Sequence, residues 1–250
     1  MAKRAKAATT GERGGETAAA PHQDRVSHVA ENYLLSLYLL HEEGLRPTIA
    51  QLADQIRRLP PTEGLGSSLP TVAGMLRRMA REQMVALNSR REVELTPRGL
   101  VLAEDMVRRH RLAERMVVDL LGLELHLAHV EAHRLEHAIS PEMEKRIAAR
   151  LGNPTTCPFG RPIPGSGYVA PPGETLTLDR ATAGVTYQVA RVPEEDPDLL
   201  RFLIEYGVLP DQELLVVEAG QFRGVLVFAT AVREGALGYQ AAGRIWVRRA

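Results

Sequence analysis

Histidine and glutamate at helical spacing near the middle of the chain constrain the fold more than any other feature. The nine-residue run 129–137 contains three histidines and two glutamates, and residues 110–114 begin with His and end with Glu. Residues three or four apart share one face of a helix, which is how a helix offers several ligands to one divalent ion. The spacing therefore predicts a helical metal-binding region rather than a solvated charged face. Its candidate ligands are His110, Glu114, His129, His133, Glu136 and His137.

The residues that precede this region predict three helices and a hairpin. Apolar residues recur with helical spacing over 27–41, and Thr48-Ile-Ala-Gln51 is a capping-box pattern that begins a short helix. A loop rich in Pro, Gly and Ser over 59–69 separates it from a third helix over 70–81. Two short apolar runs then flank Asn88-Ser-Arg-Arg91, which is typical of a β-hairpin. This order of elements is that of a winged helix-turn-helix.

The third helix and the hairpin carry the residues expected of a DNA-binding surface. The chain has no net charge, but residues 68–100 contain six Arg against three Glu. A helix fits the major groove, where its outward side chains meet base edges and phosphates. The arginines are the expected phosphate anchors, and the first residues of the helix are the expected base contacts. The candidate DNA-binding residues are Ser68, Pro70, Thr71, Arg77, Arg78, Arg81, Arg90 and Arg91.

Beyond the hairpin the pattern changes from helices to strands. Thr96-Pro97 begins a long predicted helix, and another covers 127–138. Residues 152–174 are rich in Pro and Gly and are interpreted as a linker. Short alternating strands follow, interrupted by one helix over 197–206, and they predict a small β-barrel-like domain.

Cysteine content and hydropathy indicate the cellular compartment in which the protein is expected. Cys157 is the single cysteine, so no internal disulfide is possible and a reducing compartment fits. No apolar run approaches the roughly 18 residues that a membrane span requires. Residues 1–23 lack the apolar core of a signal peptide and predict a disordered tail. We therefore expect a cytoplasmic protein.

Several motifs resemble those of the diphtheria toxin repressor family of metal-dependent transcriptional regulators, which includes the manganese transport regulators. They are Ala30-Glu-Asn-Tyr-Leu-Leu-Ser-Leu-Tyr38, Leu69-Pro-Thr-Val72, Leu95-Thr-Pro-Arg-Gly99, His110-Arg-Leu-Ala-Glu-Arg115, Glu131-Ala-His-Arg-Leu-Glu-His137 and Cys157-Pro-Phe-Gly-Arg-Pro-Ile-Pro164. The C-terminal part is similar to the ferrous iron transport A domain, an SH3-like barrel, through Phe202-Leu-Ile-Glu-Tyr-Gly-Val-Leu-Pro210. The resemblance implies an α+β, multidomain chain. Its expected parts are a winged helix-turn-helix over 24–100, a helical metal-binding and dimerisation domain over 101–165, a linker over 166–174 and an SH3-like β-barrel over 175–250.

The resemblance also implies two metal sites per subunit. The primary, activating site would comprise Asn32, His133, Glu136 and His137. The ancillary site would comprise His110, Glu114 and His129. A further ligand from the last domain is expected at Asp196 or Asp198, and Arg111 lies where the family places an anion contact.

The primary site departs from the patterns of both branches of that family. At positions 32 and 133 the iron-sensing members resemble one another in having Met and Cys, and the manganese-sensing members favour Asp and Glu, whereas this chain has Asn32 and His133. Leu35 stands where some manganese regulators have a further acidic ligand. A neutral oxygen and an imidazole, with no sulfur, favour Mn²⁺ over Fe²⁺. Mn²⁺ is therefore the expected effector and Fe²⁺ the alternative, and Zn²⁺ or Co²⁺ is expected to bind in vitro.

These features predict a homodimeric, metal-dependent transcriptional regulator, a repressor of metal-uptake genes that binds a palindromic operator in double-stranded DNA and is not an enzyme. Two alternatives remain. His133-Arg-Leu-Glu136-His137 is also the H-x-x-E-H string of a class of zinc peptidases, which leaves His129 and the pair at 110 and 114 without a role. The last domain alone suggests a metal-transport accessory protein, which leaves residues 27–100 unexplained.

Overall fold

The computed structural model describes residues 26–59 and 64–249. The predicted disordered tail over 1–23 and part of the predicted loop, residues 60–63, lie outside the described residues. Within the described ranges, no helix has the length and apolar character needed to cross a membrane.

The first helices and the hairpin have the winged helix-turn-helix arrangement that the sequence predicts. The helices are α1 (His28–Glu42), α2 (Ile49–Ile56) and α3 (Leu69–Arg81). The hairpin consists of β1 (Val85–Leu87) and β2 (Val93–Leu95), which pair antiparallel. An isolated bridge between Thr48 and Glu92 joins the start of α2 to this hairpin. The hairpin therefore lies against the helices as a wing.

Hydroxyl side chains fix where these three helices begin. At the start of each helix a hydroxyl side chain accepts a hydrogen bond from a backbone N–H of the first turn; these side chains are Ser27, Thr48 and Ser68. The N–H groups of a first turn have no carbonyl partner within the helix, so the caps stabilise it. The apolar faces of the helices then enclose one core, with Leu34 and Leu76 almost fully buried. Burial of each such side chain contributes roughly 1.5–3 kcal/mol. The opposite face of α3 is left exposed.

A long helix, α4 (Pro97–Arg115), runs from the wing into the middle of the molecule and continues into a π-helical turn over Met116–Leu120. α1 packs against α4 through a small apolar cluster that contains Leu35 and Met106. Leu35 is thus a packing residue, and its side chain offers no metal ligand.

Two further helices follow, α5 (Leu125–Leu135) and α6 (Pro141–Arg150). The helix predicted over 127–138 is divided, because the chain tightens into a 3₁₀ turn over Glu136–Ala138. A 3₁₀ turn has fewer residues per turn than an α-helix, so it redirects the side chains that follow α5.

The stretch 152–174 is not a linker throughout, so that prediction is wrong for its first half. Cys157, Phe159 and Ile163 are buried, and Thr156 pairs with Pro162. Cys157 and Phe159 belong to the same apolar core as the C-terminal sheet. This segment is therefore part of the folded core and does not simply connect two domains.

The C-terminal part is a six-stranded sheet in the order β3-β8-β4-β5-β6-β7, with all neighbours antiparallel. The strands are β3 (Thr175–Thr177), β4 (Thr186–Arg191), β5 (Glu213–Gly220), β6 (Val225–Ala229), β7 (Glu234–Gly238) and β8 (Trp246–Arg249), and the helices are α7 (Pro197–Glu205) and α8 (Tyr239–Ala242). β3 and β7 lie at opposite edges, so the sheet of the predicted SH3-like domain is open and does not close into a barrel. Register shifts near Arg191 and Glu218 are bulges, which bend a sheet without closing it.

Candidate metal centre and DNA-binding surface

Four elements bring the predicted metal ligands together. α1 supplies one of them, α4 supplies two that are one turn apart, α5 supplies two more, and the 3₁₀ turn after α5 supplies the last two. In chain order these ligands are Asn32, His110, Glu114, His129, His133, Glu136 and His137. All are buried except His137, whose side chain is 11% exposed. Charged and polar side chains are rarely buried together unless they pair or bind an ion.

His110, Glu114 and His129, the predicted ancillary site, form a triangle of donor atoms. His110 Nε2 lies 2.9 Å from Glu114 Oε1 and 3.2 Å from His129 Nδ1. The third side, from His129 Nδ1 to Glu114 Oε1, is 3.1 Å. Ligands about 2.1 Å from an ion, at right angles to each other, are about 3 Å apart. The three donors therefore already have the spacing of a coordination shell.

Glu194, which the sequence reasoning missed, belongs to the same group. It precedes α7, and a carboxylate oxygen of Glu194 lies within 4.8 Å of donors from His110, Glu114 and His129. Glu194 is 1% exposed, and neither of its oxygens accepts a hydrogen bond from any described residue. Among the described residues, its salt-bridge partner is Arg161, whose Nε lies 3.1 Å from Oε2. Burial, with Glu114 nearby, raises the pKa of Glu194.

The two aspartates expected from this part of the chain lie elsewhere. Asp196 accepts a hydrogen bond from the Leu199 N–H as the cap of α7, and it pairs with Arg244. Asp198 is exposed and pairs with Arg201. Neither belongs to the metal-ligand groups found among the described residues. The carboxylate that reaches the histidines is therefore Glu194.

The residues of the predicted primary site also face one another. Asn32 Nδ2 lies 3.1 Å from His137 Nε2, and Glu136 Oε1 lies 3.6 Å from the same nitrogen. His133 Nδ1 lies 3.1 Å from Glu136 Oε1. These contacts join α1 to the end of α5.

Glu136 connects the two groups of predicted ligands. Its Oε2 accepts a short hydrogen bond from His110 Nδ1, while its Oε1 faces His133. Donor atoms of His110, His129 and His133 also lie within 4.8 Å of one another. We therefore describe the seven side chains and Glu194 as one continuous metal-ligand cluster.

Opposed charges set the protonation of this cluster. Burial alone would raise the pKa of Glu136, but His110 and His133 outweigh it and lower the pKa to about 2. Burial would lower the pKa of His110, yet Glu114 and Glu136 raise it well above its ordinary value. Burial lowers the pKa of His133 to about 4. The Glu136 carboxylate is thus ionised and the His133 imidazole neutral at neutral pH, which are the forms that bind metals, whereas His110 holds a proton that an ion would have to displace.

The donor set fits a divalent ion. Among the described residues, Glu114 Oε2, His133 Nε2 and Glu194 Oε1 are buried and have no hydrogen-bond partner. Leaving such an atom unpaired costs about 1–3 kcal/mol, and a coordinated ion would satisfy it. Imidazole nitrogen and carboxylate oxygen without thiolate suit Mn²⁺, Fe²⁺ and Zn²⁺. Cys157 is fully buried and is not in either group of candidate ligands among the described residues.

Arg111 is already paired within the chain. Its two terminal nitrogens lie 3.1 and 2.6 Å from the two carboxylate oxygens of Glu42, and it also donates to the Pro162 carbonyl. Arg111 is 1% exposed. A carboxylate at the end of α1 therefore occupies the place where an anion was expected.

The predicted DNA-binding residues all lie on the exposed side of α3 or at the hairpin turn. Ser68, Pro70, Thr71, Arg77, Arg78, Arg81, Arg90 and Arg91 are all exposed. Arg78 is 2.8 Å from Glu82, and both side chains remain largely exposed. The Asn88 side chain accepts hydrogen bonds from the backbone N–H groups of Arg90 and Glu92, which fixes the tip of the wing. The helix and the tip of the wing thus each expose arginines to solvent.

Two family models match the chain. One is the iron dependent repressor metal binding and dimerisation domain, over residues 96–165, and the other is the FeoA domain, over residues 176–249. The chain is similar to the iron-dependent repressor IdeR of Mycobacterium tuberculosis, with 38% identity over 198 residues that cover 74% of this chain and 82% of that protein. It is 38% identical over 160 residues to the diphtheria toxin repressor of Corynebacterium diphtheriae, covering 61% of this chain and 66% of that one. A solved structure of a manganese-dependent transcriptional repressor in complex with manganese has a TM-score of 0.78 and 33% identity, covering 89% of this chain and 100% of that chain.

Proposed function

This chain belongs to the diphtheria toxin repressor family of metal-dependent transcriptional repressors, and we propose that metal bound to its buried cluster fixes the DNA-binding helices for operator recognition. The observation that carries this proposal is the contact of Asn32, on α1, with His137 at the end of α5. An ion held by both would favour one placement of α1 relative to α5, so metal binding and DNA binding become coupled. The family consists of repressors and not enzymes, so the peptidase alternative is not favoured.

We assign the primary site to Asn32, His133, Glu136 and His137, and the ancillary site to His110, Glu114 and His129 with Glu194 added. Donor atoms about 3 Å apart support the grouping of His110 with Glu114 and His129, and of His133 with Glu136. A Glu194 oxygen lies within 4.8 Å of the ancillary donors, and the Asn32 amide, which faces His137 through its nitrogen, would turn its oxygen to the ion. Glu136 has a double role, because it would bind the primary ion through one oxygen and orient His110 through the other. Such outer contacts commonly change metal affinity by 10–100-fold. The two sites are therefore expected to be coupled.

We propose Mn²⁺ as the effector, with Fe²⁺ as the alternative. The primary set offers an amide oxygen, two imidazoles and one carboxylate, none of which is a sulfur ligand. Mn²⁺ suits oxygen and imidazole donors and binds more weakly than later metals of its row. Zn²⁺ and Co²⁺ are expected to bind the same residues in vitro by that order.

The active form is proposed to be a homodimer on a palindromic operator. Leu120, Leu121 and Leu127 are exposed in a short stretch around the start of α5, within the region that matches the dimerisation model. Contiguous exposed apolar patches mark protein contacts, and we propose that these three leucines form part of one. Two copies of α3 about 34 Å apart would then enter successive major grooves. Of the described residues, only Arg77, 3.8 Å away, would come within 4 Å of an added Cβ at Gly74, which leaves space on this face for close approach to DNA.

The proposed division of labour follows the order of the chain. Residues 24–100 bind DNA, residues 101–165 bind metal and dimerise, 166–174 connect, and 175–250 form the last domain, which contributes Glu194 to the cluster. We place the protein in the cytoplasm, where a repressor of metal-uptake genes would meet both DNA and free metal.

The test is metal-dependent DNA binding with metal-ligand variants. Operator DNA is first selected from a random pool in Mn²⁺, and gel-shift affinity is then measured with and without buffered micromolar Mn²⁺. Wild type should bind more tightly with Mn²⁺, whereas His137→Ala and Glu136→Ala should lose that response while keeping the helical circular dichroism of the wild type. His126→Ala, in the first turn of α5, is the matched control. A full Mn²⁺ response in both ligand variants contradicts the proposal.

A further inference from the structure

Glu31, the residue before Asn32 on α1, contacts the opposite side of the His137 ring. Glu31 Oε2 lies 2.7 Å from His137 Nδ1, while Asn32 Nδ2 lies 3.1 Å from His137 Nε2. Glu31 was not among the predicted site residues. Its side chain is 14% exposed, and that of His137 is 11% exposed. The ring thus lies between two consecutive residues of α1.

These two contacts require one particular form of the neutral imidazole. A carboxylate only accepts hydrogen bonds, so His137 Nδ1 must carry the proton and donate to Glu31. An amide NH₂ only donates, so His137 Nε2 must be the acceptor and carry the lone pair. That lone pair faces Asn32 and Glu136, the side on which the primary ion is proposed. The contact with Glu31 therefore keeps the proton off the nitrogen nearest the other ligands, and an ion bound there would replace the hydrogen bond from the Asn32 amide.

Neighbouring residues hold Glu31 in this place. Arg109 Nη2 donates to Glu31 Oε1 at 2.9 Å, and Arg109 Nη1 donates to the Glu136 backbone carbonyl at 3.2 Å. One guanidinium thus sets the distance between α1 and the 3₁₀ turn that carries His137. His28, one turn before Glu31 on α1, stacks on the His137 ring with centroids 4.6 Å apart and an interplanar angle of 11°. The plane of the ring is therefore fixed as well.

We propose that Glu31 is the positioning residue of the primary metal site, selecting the His137 tautomer whose Nε2 binds the ion. The inference rests on the proposed metal-binding function and adds a residue to it. Ligating histidines commonly donate their second N–H to a carboxylate, which fixes the ring and raises ligand basicity. Here the carboxylate comes from α1 of the DNA-binding unit and the histidine from the metal-binding unit. The same hydrogen bond therefore links metal affinity to the docking of α1.

The test has one readout without metal and one with it. Imidazole ¹⁵N shifts of His137 are measured in the metal-free protein at a pH above the ordinary imidazole pKa of about 6.5, with the signals assigned by their loss in His137→Asn. Mn²⁺ affinity is then measured by chelator competition. Wild type should show the Nδ1–H tautomer. Glu31→Ala should shift the ring toward the Nε2–H tautomer and weaken Mn²⁺ binding by roughly 10–100-fold.

Two further variants separate positioning from general damage. Glu31→Gln keeps an oxygen that accepts from Nδ1–H, so it should restore the tautomer and recover part of the affinity. Asp105→Ala removes the other carboxylate partner of Arg109 and leaves the contact between Glu31 and His137, so it should match wild type. Unchanged tautomer in Glu31→Ala overturns the inference even if Mn²⁺ affinity falls, because the residue would then act only through structure. Absence of Mn²⁺ binding in wild type would instead contradict the proposed function.

Discussion

Arg161 is the residue whose loss should destabilise the molecule most clearly. Its Nη1 lies 2.9 Å from Glu42 Oε2 and 2.7 Å from Glu43 Oε1, and its Nε lies 3.1 Å from Glu194 Oε2. The first two carboxylates are at the end of α1, and the third is in the C-terminal part. The Arg161 side chain is only 8% exposed. One buried guanidinium thus joins three parts of the fold, and Arg161→Gln removes that charge.

The three carboxylates should contribute unequally to the cost. Glu42 would keep its bidentate partner Arg111, and Glu43, 28% exposed, would gain water. Glu194, with a 1% exposed side chain, would lose its ion pair with Arg161. Removing one partner of a buried ion pair costs about 3–5 kcal/mol. The lower end applies here because Glu194, whose pKa burial already raises, can take up a proton. About 3 kcal/mol corresponds to a Tm decrease of roughly 6–12 °C in a protein of this size.

Thermal unfolding followed by circular dichroism in chelator measures this cost. Arg161→Gln should unfold roughly 6–12 °C below wild type, and adding Glu194→Gln should recover part of the loss because a neutral amide needs no cation. Arg108→Gln is the control, since the side chains of its pair with Glu144 are 27% and 13% exposed, more than the 8% and 1% of Arg161 and Glu194. A Tm within about 1 °C of wild type for Arg161→Gln, or a double variant no more stable than the single one, would refute the reasoning.

Three further predictions concern metal and DNA. His110→Ala should weaken Mn²⁺ binding at the primary site as well as at the ancillary site, since His110 Nδ1 contacts Glu136. Glu114→Ala should weaken the ancillary site alone. If the two variants have equal Mn²⁺ affinity at the primary site in competition assays, this prediction is contradicted. Arg77→Ala should weaken all DNA sequences alike and flatten the salt slope by about one unit, while Thr71→Ala should change sequence preference in a selection assay; an unchanged slope places that face away from DNA. Asn32→Met should shift the DNA-binding midpoints toward Fe²⁺ under anaerobic conditions, because a thioether replaces a hard donor, and unmoved midpoints would contradict the manganese assignment.

Local patterns in the sequence predicted the elements whose contacts are close in the chain. Each of these elements depends on contacts between residues at most four apart, as in the caps at Thr48 and Ser68 and the turn after Asn88. A short stretch of sequence therefore contains all the residues that form them. β7 is only weakly indicated by the sequence, because two of its five residues are glycine, which disfavours strands. Glycine is needed at position 235 because of a residue far away in the sequence: an added Cβ would lie 2.5 Å from the Tyr206 ring. The open sheet likewise depends on how distant strands pair.

The metal-ligand cluster was predictable where helical spacing places ligands on one face, as for His110 and Glu114. Glu194 was missed because it reaches the histidines from 65 residues beyond His129, and the sequence around it offers three other acidic residues of equal promise. Glu31 was missed for a similar reason, since its partner His137 is 106 residues away. The spacing of ligands along one helix does not indicate which side chain from another helix or strand will contact them.

The most direct test of the central claim is a Mn²⁺ titration of the protein with and without operator DNA at constant ionic strength. If metal and DNA are coupled through the contact of α1 with the end of α5, DNA must tighten Mn²⁺ binding by the same factor by which Mn²⁺ tightens DNA binding. For typical coupling this factor is roughly 5–150. We expect equal factors well above one in wild type and a factor near one in His137→Ala. Mn²⁺ affinity that operator DNA leaves unchanged in wild type would contradict it.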